Sequence, residues 1–300
     1  MELRQLRHFA AVVDAGNLSR AAERIAISQP ALTRSIKNLE EMLGVELLER
    51  KPRGVTPTEA GLALYHHATI VLNACQRLTR EVREIESGIT GSVRVGIASM
   101  FASYVIDRVA IQLAAEHPRL TMVVTEGFFE DLARGLVDGR LDVLFCNFPQ
   151  VPVAADLRLE PLLTVSSSVI AGSRHPLARR RELQRRDLVN QRWIIADLPH
   201  AQDSFENYFA LDGLPAPSDV YLTNSLNLMV ALVRSGMFLS TLPEHLFKDE
   251  LASGTLRRLT LPGSQIERKA GLIYRDSGQP HPAVDHFIAA VRRTCKELES

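Results

Sequence analysis

Residues Ala21–Arg34 read AAERIAISQPALTR and contain two short helical patterns joined by a tight turn. Ala21 and Ala22 are small enough to let another helix pack closely against the first pattern. Ser28 can cap the helix that follows, because its hydroxyl can accept a hydrogen bond from a free backbone N–H group of the first turn. Pro30 fits that turn, since the N–H group that proline lacks has no helical partner there. The stretch therefore predicts two short helices separated by a turn.

The second of these helices combines an apolar stripe with a polar face. The stripe that we expect to be buried consists of Ala31, Leu32, Ile36, Leu39 and Leu43. The residues left outside are Gln29, Thr33, Arg34 and Lys37. A recognition helix reaches base edges in the major groove with its N-terminal residues. Gln pairs there with adenine, Arg with guanine, and a Thr methyl contacts thymine. The pattern predicts a DNA-binding helix-turn-helix; the alternative is a three-helix core with a solvated polar face.

The segment before this pair predicts one more helix. Apolar residues recur at helical spacing from Leu3 to Val13, so a first amphipathic helix should end near Ala15–Gly16. Ser19 can then cap the second helix. Three helices in 43 residues are enough to enclose a small core around the turn.

The segment after the pair predicts a β-hairpin wing. Residues 45–57 read VELLERKPRGVTP, and Arg50, Lys51 and Arg53 cluster at the tip beside Gly54. Three cations on a short loop next to a recognition helix suit contact with phosphates or with the minor groove. The alternative is a solvated charged turn, but the position beside the helical pair favours DNA contact.

Residues 1–60 resemble the winged helix-turn-helix of LysR-type transcriptional regulators. The matching segments are LRQLRHFAAVVDAGNLSRAAERIAISQPALTRSIKNLEEMLGVELLER at residues 3–50 and RGVTPTEAG at residues 53–61. The resemblance extends more weakly over the rest of the chain. In that family the start of the third helix and the wing tip meet DNA. The resemblance thus implies DNA contacts from Gln29, Pro30, Thr33, Arg34, Arg50 and Arg53.

A long helix follows the wing. Thr56 can cap it, Pro57 suits its first position, and Glu59 completes a capping box. Up to about residue 86 a heptad seam repeats at Leu64, Ala68, Val71, Cys75, Leu78, Val82 and Ile85. A narrow seam of period 3.5 on a long helix favours pairing with a second chain; the alternative is a helix that lies on its own domain. The resemblance implies an antiparallel homodimer through this linker helix.

Beyond a hinge-like break at residues 87–92, strands and helices alternate, which predicts an α/β fold with a parallel sheet. The expected strands are Val93–Ala98, Leu120–Glu126, Leu141–Phe145, Val165–Ala171, Trp193–Ile195, Val220–Leu222, Phe238–Leu242 and Ala270–Tyr274. The expected helices include Ala102–Glu116, Glu130–Val137 and Ala283–Leu298. The resemblance implies two lobes joined by two crossovers, as in periplasmic binding proteins. The predicted domains are a winged helix-turn-helix at 1–58, a linker at 59–90 and an effector-binding domain at 91–300, with lobe I at about 91–161 and 267–300 and lobe II at about 162–266.

Polar and aromatic residues follow the predicted strands, where ligands of parallel α/β sheets bind. The candidate effector residues are Ser99, Met100, Phe128, Asn147, His200, Asn224 and Ser225. Each has a structural alternative: the two serines can cap helices, Phe128 can belong to the core, and His200 can be a solvated loop residue. Arginine, which many carboxylate sites use, is missing from the set. We therefore expect a small, partly apolar monoanion or a neutral effector.

Composition limits the remaining function classes. The 300 residues carry a formal net charge of zero, and residues 1–58 hold nine Lys or Arg against seven Asp or Glu, so phosphate contacts must be local. Three widely spaced cysteines, Cys75, Cys146 and Cys295, argue against disulfides or a zinc site and suit buried apolar positions. Dinucleotide, P-loop, serine-hydrolase and metalloprotease motifs are missing. We expect no metal, no cofactor and no enzyme activity. Without an apolar leader or a run of about 18 apolar residues, we expect a cytoplasmic protein without membrane contact.

These observations predict an effector-responsive, sequence-specific transcription regulator. It would bind promoter DNA as a homotetramer, a dimer of dimers on an inverted repeat, and RNA polymerase would be a further partner. One alternative is an enzyme or transport-type binding protein with an accessory helical domain. Another is a ligand-independent repressor whose C-terminal lobes serve oligomerisation only.

Overall fold

The computed structural model describes residues 1–51, 54–87, 91–149, 157–180, 182–261, 265–275 and 282–299. Its N-terminal unit consists of the helices α1 (Leu3–Ala15), α2 (Leu18–Arg24) and α3 (Gln29–Leu43) and the strands β1 (Leu48–Lys51) and β2 (Gly54–Pro57). Buried apolar residues from all three helices and the hairpin form one core, with Phe9, Leu32 and Leu39 fully enclosed. The predicted helix-turn-helix with a wing is confirmed.

Three local predictions in this unit are wrong. The cap of α2 is Asn17 rather than Ser19, because the Asn17 Oδ1 atom accepts hydrogen bonds from two backbone N–H groups of the first turn, at 2.9 and 3.1 Å. Ala31 and Leu43 are exposed rather than buried. They lie in the first and last turns of α3, and the helix extends beyond the core at both ends. Only its middle turns pack against α1 and α2.

A backbone hydrogen bond holds the wing against the turn between α1 and α2. The Val55 N–H group donates to the Gly16 carbonyl at 2.9 Å. Gly54 has a φ of +139°, and a Cβ atom at this position would lie 2.3 Å from the Gly16 oxygen. Only glycine allows so close an approach in that conformation. The position of the wing beside α3 therefore depends on Gly54.

The long helix α4 (Glu59–Ser87) begins two residues later than predicted. Thr58, not Thr56, acts at its start: the Thr58 hydroxyl accepts a hydrogen bond from the Gly61 N–H group at 3.0 Å. Thr56 and Pro57 instead belong to β2, where they pair with β1. Thr56 and Pro57 cannot belong to the wing strand and start the helix at the same time. Pairing within the wing therefore decides their place, although their sequence fits a helix start.

The C-terminal part is the expected α/β unit. Its strands are β3 (Gly91–Ala98), β4 (Leu120–Gly127), β5 (Val143–Asn147), β6 (Leu157–Gly172), β7 (Trp193–Ala196), β8 (Val220–Thr223), β9 (Leu239–Pro243), β10 (Leu256–Arg258) and β11 (Ile266–Arg275). Its helices are α5 (Asp107–Glu116), α6 (Phe129–Val137), α7 (Pro199–Ala210), α8 (Leu226–Arg234), α9 (Lys248–Ser253) and α10 (Pro282–Glu299). A π-helical turn at Ala102–Ile106 replaces the start of the predicted helix before α5.

One sheet runs through both halves of this unit. The strand order is β4-β3-β5-β11-β6-β9-β7-β8, with β10 paired to β6. The long strands β6 and β11 pair antiparallel and pass from one core to the other. Lobe I is the core built on β3, β5, α5 and α10, and lobe II is built on β7, β9, α7 and α8. The two predicted α/β units thus share two central strands.

Candidate DNA interface and lobe junction

The polar face of α3 is open to solvent where the sequence predicts DNA contacts. Gln29, Pro30, Arg34 and Lys37 are all exposed. Within the described part of the chain, Arg34 has neither a hydrogen-bond nor an ion-pair partner. The Lys37 Nζ atom lies 3.5 Å from Glu41 in an exposed pair, which holds the ammonium only weakly. The two cations are therefore available for phosphates or base edges.

A cap at its start and a contact with α1 fix the orientation of α3. The Ser28 Oγ atom accepts a hydrogen bond from the Ala31 N–H group at 3.4 Å, as the sequence predicts. The His8 Nδ1 atom of α1 lies 2.8 Å from the Ser35 Oγ atom of α3. Thr33 is only partly exposed, and its buried hydroxyl has no hydrogen-bond partner among the described residues. The exposed residues that are predicted to contact DNA therefore lie on a helix that is held in place at its start and in its middle.

The wing is described only in part. Arg50 pairs with Val55 in the hairpin, but its side chain lies outside the described part of the structure. Arg53 lies wholly outside the described residues. The Lys51 Nζ atom lies 3.7 Å from the Glu49 carboxylate. The roles of both arginines in DNA contact stay predictions.

The linker helix α4 is tied to the units on both sides of it. Near its start, the Tyr65 hydroxyl donates to the Asp14 carboxylate of α1, and burial together with this carboxylate raises the pKa of Tyr65 to about 12. Further along, the Asn73 Nδ2 atom donates to the Asp138 carbonyl of lobe I at 2.7 Å. The His66 Nδ1 atom lies 3.8 Å from the Asp138 carboxylate. Movement of lobe I relative to α4 would therefore strain contacts that lead to the DNA-binding unit.

The apolar seam of α4 lies on the face away from lobe I. At about 100° per residue, its members fall on the opposite side of the helix from Asn73. Side chains exposed on this seam are Val71, Leu78 and Val82, at 40%, 61% and 56%. Ala68 is buried, and the side chain of Ile85 lies outside the described part. The helix thus packs on its own lobe with one face and leaves an apolar stripe on the other.

The strand register brings the carboxyl ends of strands from both lobes toward one region. The last residue of β5, Asn147, lies opposite Ala270 of β11, which pairs with Leu163 of β6. From the other lobe, Pro243 at the end of β9 pairs with Ser167 of β6. Leu163 and Ser167 are four residues apart, or about 13 Å along a strand. We call this region the lobe junction.

Three residues make direct contacts across or beside the lobe junction. The Asn147 Nδ2 atom lies 3.3 Å from the Met100 sulfur. The Asn147 Oδ1 atom is buried and has no hydrogen-bond partner among the described residues. The His245 Nε2 atom of lobe II lies 2.8 Å from the Met100 carbonyl of lobe I. The His245 ring stacks on Tyr104 and Phe101, with centroid distances of 4.3 and 5.5 Å. His245 therefore joins the two lobes.

The other predicted effector residues are more dispersed. Ser99 is half-buried directly before Met100 and starts a short 3-10 turn. Ser225 caps α8, since its Oγ atom accepts a hydrogen bond from the Leu228 N–H group at 3.3 Å. Asn224 is exposed, and Phe128 is half-buried at the start of α6, outside the described core clusters. His200 begins α7 with a side chain outside the described part. The structure thus brings together Ser99, Met100 and Asn147.

Sequence reasoning missed three features of the lobe junction. His245 follows β9, so the rule of strand ends would have found it. Ser166 and Ser167 are half-buried in the middle of β6, where polar residues interrupt an otherwise apolar strand. Lys269 supplies a cation: its Nζ atom donates to the Thr164 hydroxyl at 2.9 Å, and its backbone carbonyl accepts a hydrogen bond from the Phe148 N–H group. This side chain projects from the face of β11 opposite to that of Ala270, the residue that pairs with Asn147, so its positive charge lies on the other side of the sheet from Asn147.

The cysteines occupy apolar surroundings. Cys146 and Cys295 are buried, and burial raises the pKa of each thiol to about 12. Cys75 is half-buried on α4. All three are unpaired. High thiol pKa values leave little thiolate at neutral pH, so Cys146 and Cys295 are poor nucleophiles.

No group of three or more His, Cys, Asp or Glu in the described ranges could hold a metal ion. None of the helices in the same ranges has the length and apolar character needed to cross a membrane.

Comparison with known proteins identifies both parts of the chain. Residues 3–62 match the model of the bacterial regulatory helix-turn-helix proteins of the lysR family, and residues 86–296 match the LysR substrate binding domain. A relative is the HTH-type transcriptional regulator CfxR of Cupriavidus necator, 28% identical over 94% of this chain and 88% of that protein. Another is a probable hydrogen peroxide-inducible genes activator of Streptomyces viridosporus, 30% identical over 99% of this chain and 95% of that protein.

The fold agrees with solved structures of this kind. Full-length CbnR, a LysR family regulator solved in complex with its target DNA, superposes with a TM-score of 0.67. The match in that complex covers 98% of this chain and 100% of the other, at 23% sequence identity. Family models cover both the N-terminal unit and the α/β unit, and the order of the two units is the same. The chain therefore belongs to the LysR family of DNA-binding transcription regulators and carries the effector-binding domain of that family.

Proposed function

We propose that this regulator binds promoter DNA as a dimer of dimers and that a small effector at the lobe junction controls its arrangement on the DNA. The observation that carries the proposal is that strand ends from both lobes converge on the junction, where the Asn147 amide oxygen is buried without a hydrogen-bond partner among the described residues. RNA polymerase is the partner through which such a rearrangement would act. We place the protein in the cytoplasm, without enzyme activity, metal or cofactor.

Two apolar surfaces support association of copies. The exposed seam of α4 fits the linker helix of a second chain. The outer strands of the sheet, β4 and β8, also have exposed apolar residues at Val123, Val124, Tyr221 and Leu222. Unpaired sheet edges with exposed apolar side chains favour contact with another chain. One surface can form the dimer and the other can join two dimers.

The residues at the lobe junction define the chemistry of the effector. Asn147 offers a buried amide oxygen that lacks a hydrogen-bond donor, and Ser99 offers a hydroxyl that can donate or accept. The half-buried Tyr104 supplies aromatic surface beside them. A small monocarboxylate with an apolar body suits this combination better than a dianion. A neutral amide of the same shape also suits it, because its N–H groups can donate to the Asn147 oxygen.

A thermal-shift screen of the full chain tests the effector site. We expect some small monocarboxylates or their matched primary amides to raise the melting temperature. At about 100 times the dissociation constant, binding adds about 2.7 kcal/mol to folding stability. Asn147→Leu should abolish the shift, whereas Asn190→Leu, an exposed position elsewhere in lobe II, should retain it. If no acid and no amide raises the melting temperature, the ligand-independent repressor becomes the better interpretation.

The junction contact of His245 should make stability depend on pH. Burial lowers the pKa of His245 from 6.5; the hydrogen bond with the Met100 carbonyl opposes this shift, and the charge of Lys248 adds to it. The neighbouring Glu244 carboxylate is held by Ser168 and Arg258. Since the unfolded chain binds the proton more readily, folded-state stability is retained above pH 6.5 and lost as pH falls through the lowered pKa.

His245→Phe keeps an aromatic ring at the junction but cannot titrate. We therefore expect its melting temperature to fall less than that of the wild type between about pH 7.5 and pH 5.5. The buried His175, whose pKa is also lowered by burial, remains in both proteins and accounts for a residual slope. His67→Phe, at an exposed site on α4, serves as the control. Equal slopes in all three proteins would mean that His245 does not titrate with unfolding.

A further inference from the structure

A second cleft lies between α4 and lobe I, away from the lobe junction. Its volume is about 430 Å³, within the range of small-molecule sites. The floor is formed by β3 and β4, and the walls are α4 and α6. We call it the linker–lobe cleft. Any molecule bound there would touch both the linker helix and the effector-binding domain.

The fold creates this cleft by covering one face of the sheet incompletely. Helix α6 lies close to β3 and β5 because Gly96 and Gly135 leave room for Leu141; a Cβ atom at either glycine would come within 2.8 and 2.9 Å of that side chain. Helix α4 crosses nearby and is held by the hydrogen bond from Asn73 to the Asp138 carbonyl. The space between the two helices remains open.

A guanidinium group in this cleft lacks an acceptor. The Arg94 backbone N–H group donates to the Asp142 carboxylate at 2.8 Å, which fixes the residue on β3. Its side-chain Nε atom is buried and has no hydrogen-bond partner among the described residues. The hydroxyl of Thr125 on β4 and the amide of Gln76 on α4 line the same space. A buried N–H donor of a charged group without an acceptor is unfavourable. An anionic ligand would satisfy it.

Two carboxylates line the same cleft. Glu126 at the end of β4 and Asp131 in the first turn of α6 are exposed, and neither has an ion-pair or hydrogen-bond partner in the described ranges. Neither forms an ion pair with Arg94. Two other arginines line the cleft, and both have partners: Arg140 lies 3.3 Å from Asp138, and Arg80 also makes a polar contact. Among the described residues, the cleft therefore presents one unpartnered cation and two unpartnered anions that do not neutralise each other.

We propose that the linker–lobe cleft is a second ligand site, for a free amino acid. The carboxylate of the ligand would pair with Arg94, and its ammonium group would pair with Asp131 or Glu126. A zwitterion satisfies both charge types at once, whereas a simple anion would face two carboxylates and a simple amine would face the guanidinium. The bound amino acid would connect α4 to lobe I in addition to the Asn73 contact. It would thus bias the position of the lobes relative to the linker helix without occupying the lobe junction.

Isothermal titration calorimetry on the full chain tests this proposal, with the twenty standard L-amino acids as probes and butyrate and butylamine as single-charge controls. We expect at least one amino acid to bind, and each control to bind at least about tenfold more weakly. Arg94→Gln and Asp131→Asn should each weaken binding by about tenfold or more. Asp131 is exposed, so its variant remains informative if Arg94→Gln does not fold.

Asn147→Leu at the lobe junction separates the two sites. We expect it to leave amino acid binding unchanged while it removes the response to monocarboxylates. Failure of all twenty amino acids to bind would overturn the linker–lobe site and leave the lobe junction untouched. Loss of amino acid binding in Asn147→Leu, with normal binding in Asp131→Asn, would overturn it as well, because the ligand would then occupy the junction. Binding of butyrate as strong as that of the amino acid would also contradict the proposal.

Discussion

Replacing Arg34 by alanine is expected to abolish sequence-specific retardation of the DNA upstream of the gene for this regulator. Arg34 is exposed on the N-terminal half of α3, and the described residues offer it no partner. A bidentate contact between arginine and guanine contributes about 1–3 kcal/mol of discrimination. A dimer presents two copies of the residue, so the loss becomes about 2–6 kcal/mol, or roughly 30-fold to 10⁴-fold in affinity.

The same substitution should leave the fold intact. An exposed side chain without partners changes the free energy of unfolding by about 0.5 kcal/mol or less. Gel retardation at one fixed salt concentration measures binding, because phosphate contacts make affinity strongly salt-dependent. Arg108→Ala, which removes an exposed arginine from α5 of lobe I, is the matched control and should bind like the wild type. Specific retardation that survives in Arg34→Ala would mean that another surface reads the DNA.

The sequence predicts the N-terminal unit well because its signals are local. Gly16 ends α1 in a left-handed conformation, and Ser28 caps α3, as expected from neighbouring residues alone. The wrong caps, Ser19 and Thr56, lie only two residues from the actual ones, Asn17 and Thr58. Two polar residues of similar capping ability compete at each site. Contacts with the rest of the unit, such as the pairing of Thr56 in the wing, decide between them.

The sequence predicts only part of the long central strand β6, for a different reason. The predicted strand Val165–Ala171 is part of β6, which begins at Leu157 and includes Pro161. A proline argues against a central strand because it cannot donate a ladder hydrogen bond. Here the pairing with β11 shifts register between Ala270 and Gly271, and Pro161 lies opposite Gly271 at this irregularity. A β-bulge, which depends on the partner strand, accommodates the proline.

The ends of the predicted strands locate the lobe junction, but they do not identify all of its residues. Ser99, Met100 and Asn147 follow strands that the alternating pattern predicts. His245 contacts Met100 across 145 residues of sequence, and Lys269 reaches the junction through pairing of β11 with β6. Both contacts depend on how the two central strands cross between lobes. Sequence spacing carries no direct signal for that crossing.

Introducing charge into the seam of α4 is expected to dissociate the regulator. The double variant Leu78→Glu/Val82→Glu replaces two seam residues that are 61% and 56% exposed in the single chain. Burying a Leu or Val side chain contributes about 1.5–3 kcal/mol, and two helices in a pair each lose two such residues. Adding buried carboxylates opposes association further. We expect the dimer dissociation constant to rise by at least about 10³-fold.

Leu62→Glu provides a matched control for this seam variant. Leu62 is 56% exposed, close to the values for Leu78 and Val82, but lies on the opposite side of α4 from the seam. Analytical ultracentrifugation at equal protein concentrations should find Leu62→Glu assembled like the wild type and the double variant in assemblies of at most half as many chains. Circular dichroism should find equal helix content in both, since exposed substitutions leave the fold of the chain unchanged.

Dissociation should also weaken DNA binding without any change in α3. A single chain can occupy only one half-site, and the affinity that two linked recognition helices gain from each other is lost. We therefore expect the seam variant to bind a two-half-site operator no better than an isolated half-site, while Leu62→Glu retains the preference for the complete operator. A seam variant with the same number of chains as the wild type would place the dimer contact on another surface, and the exposed edges β4 and β8 would be the next to test.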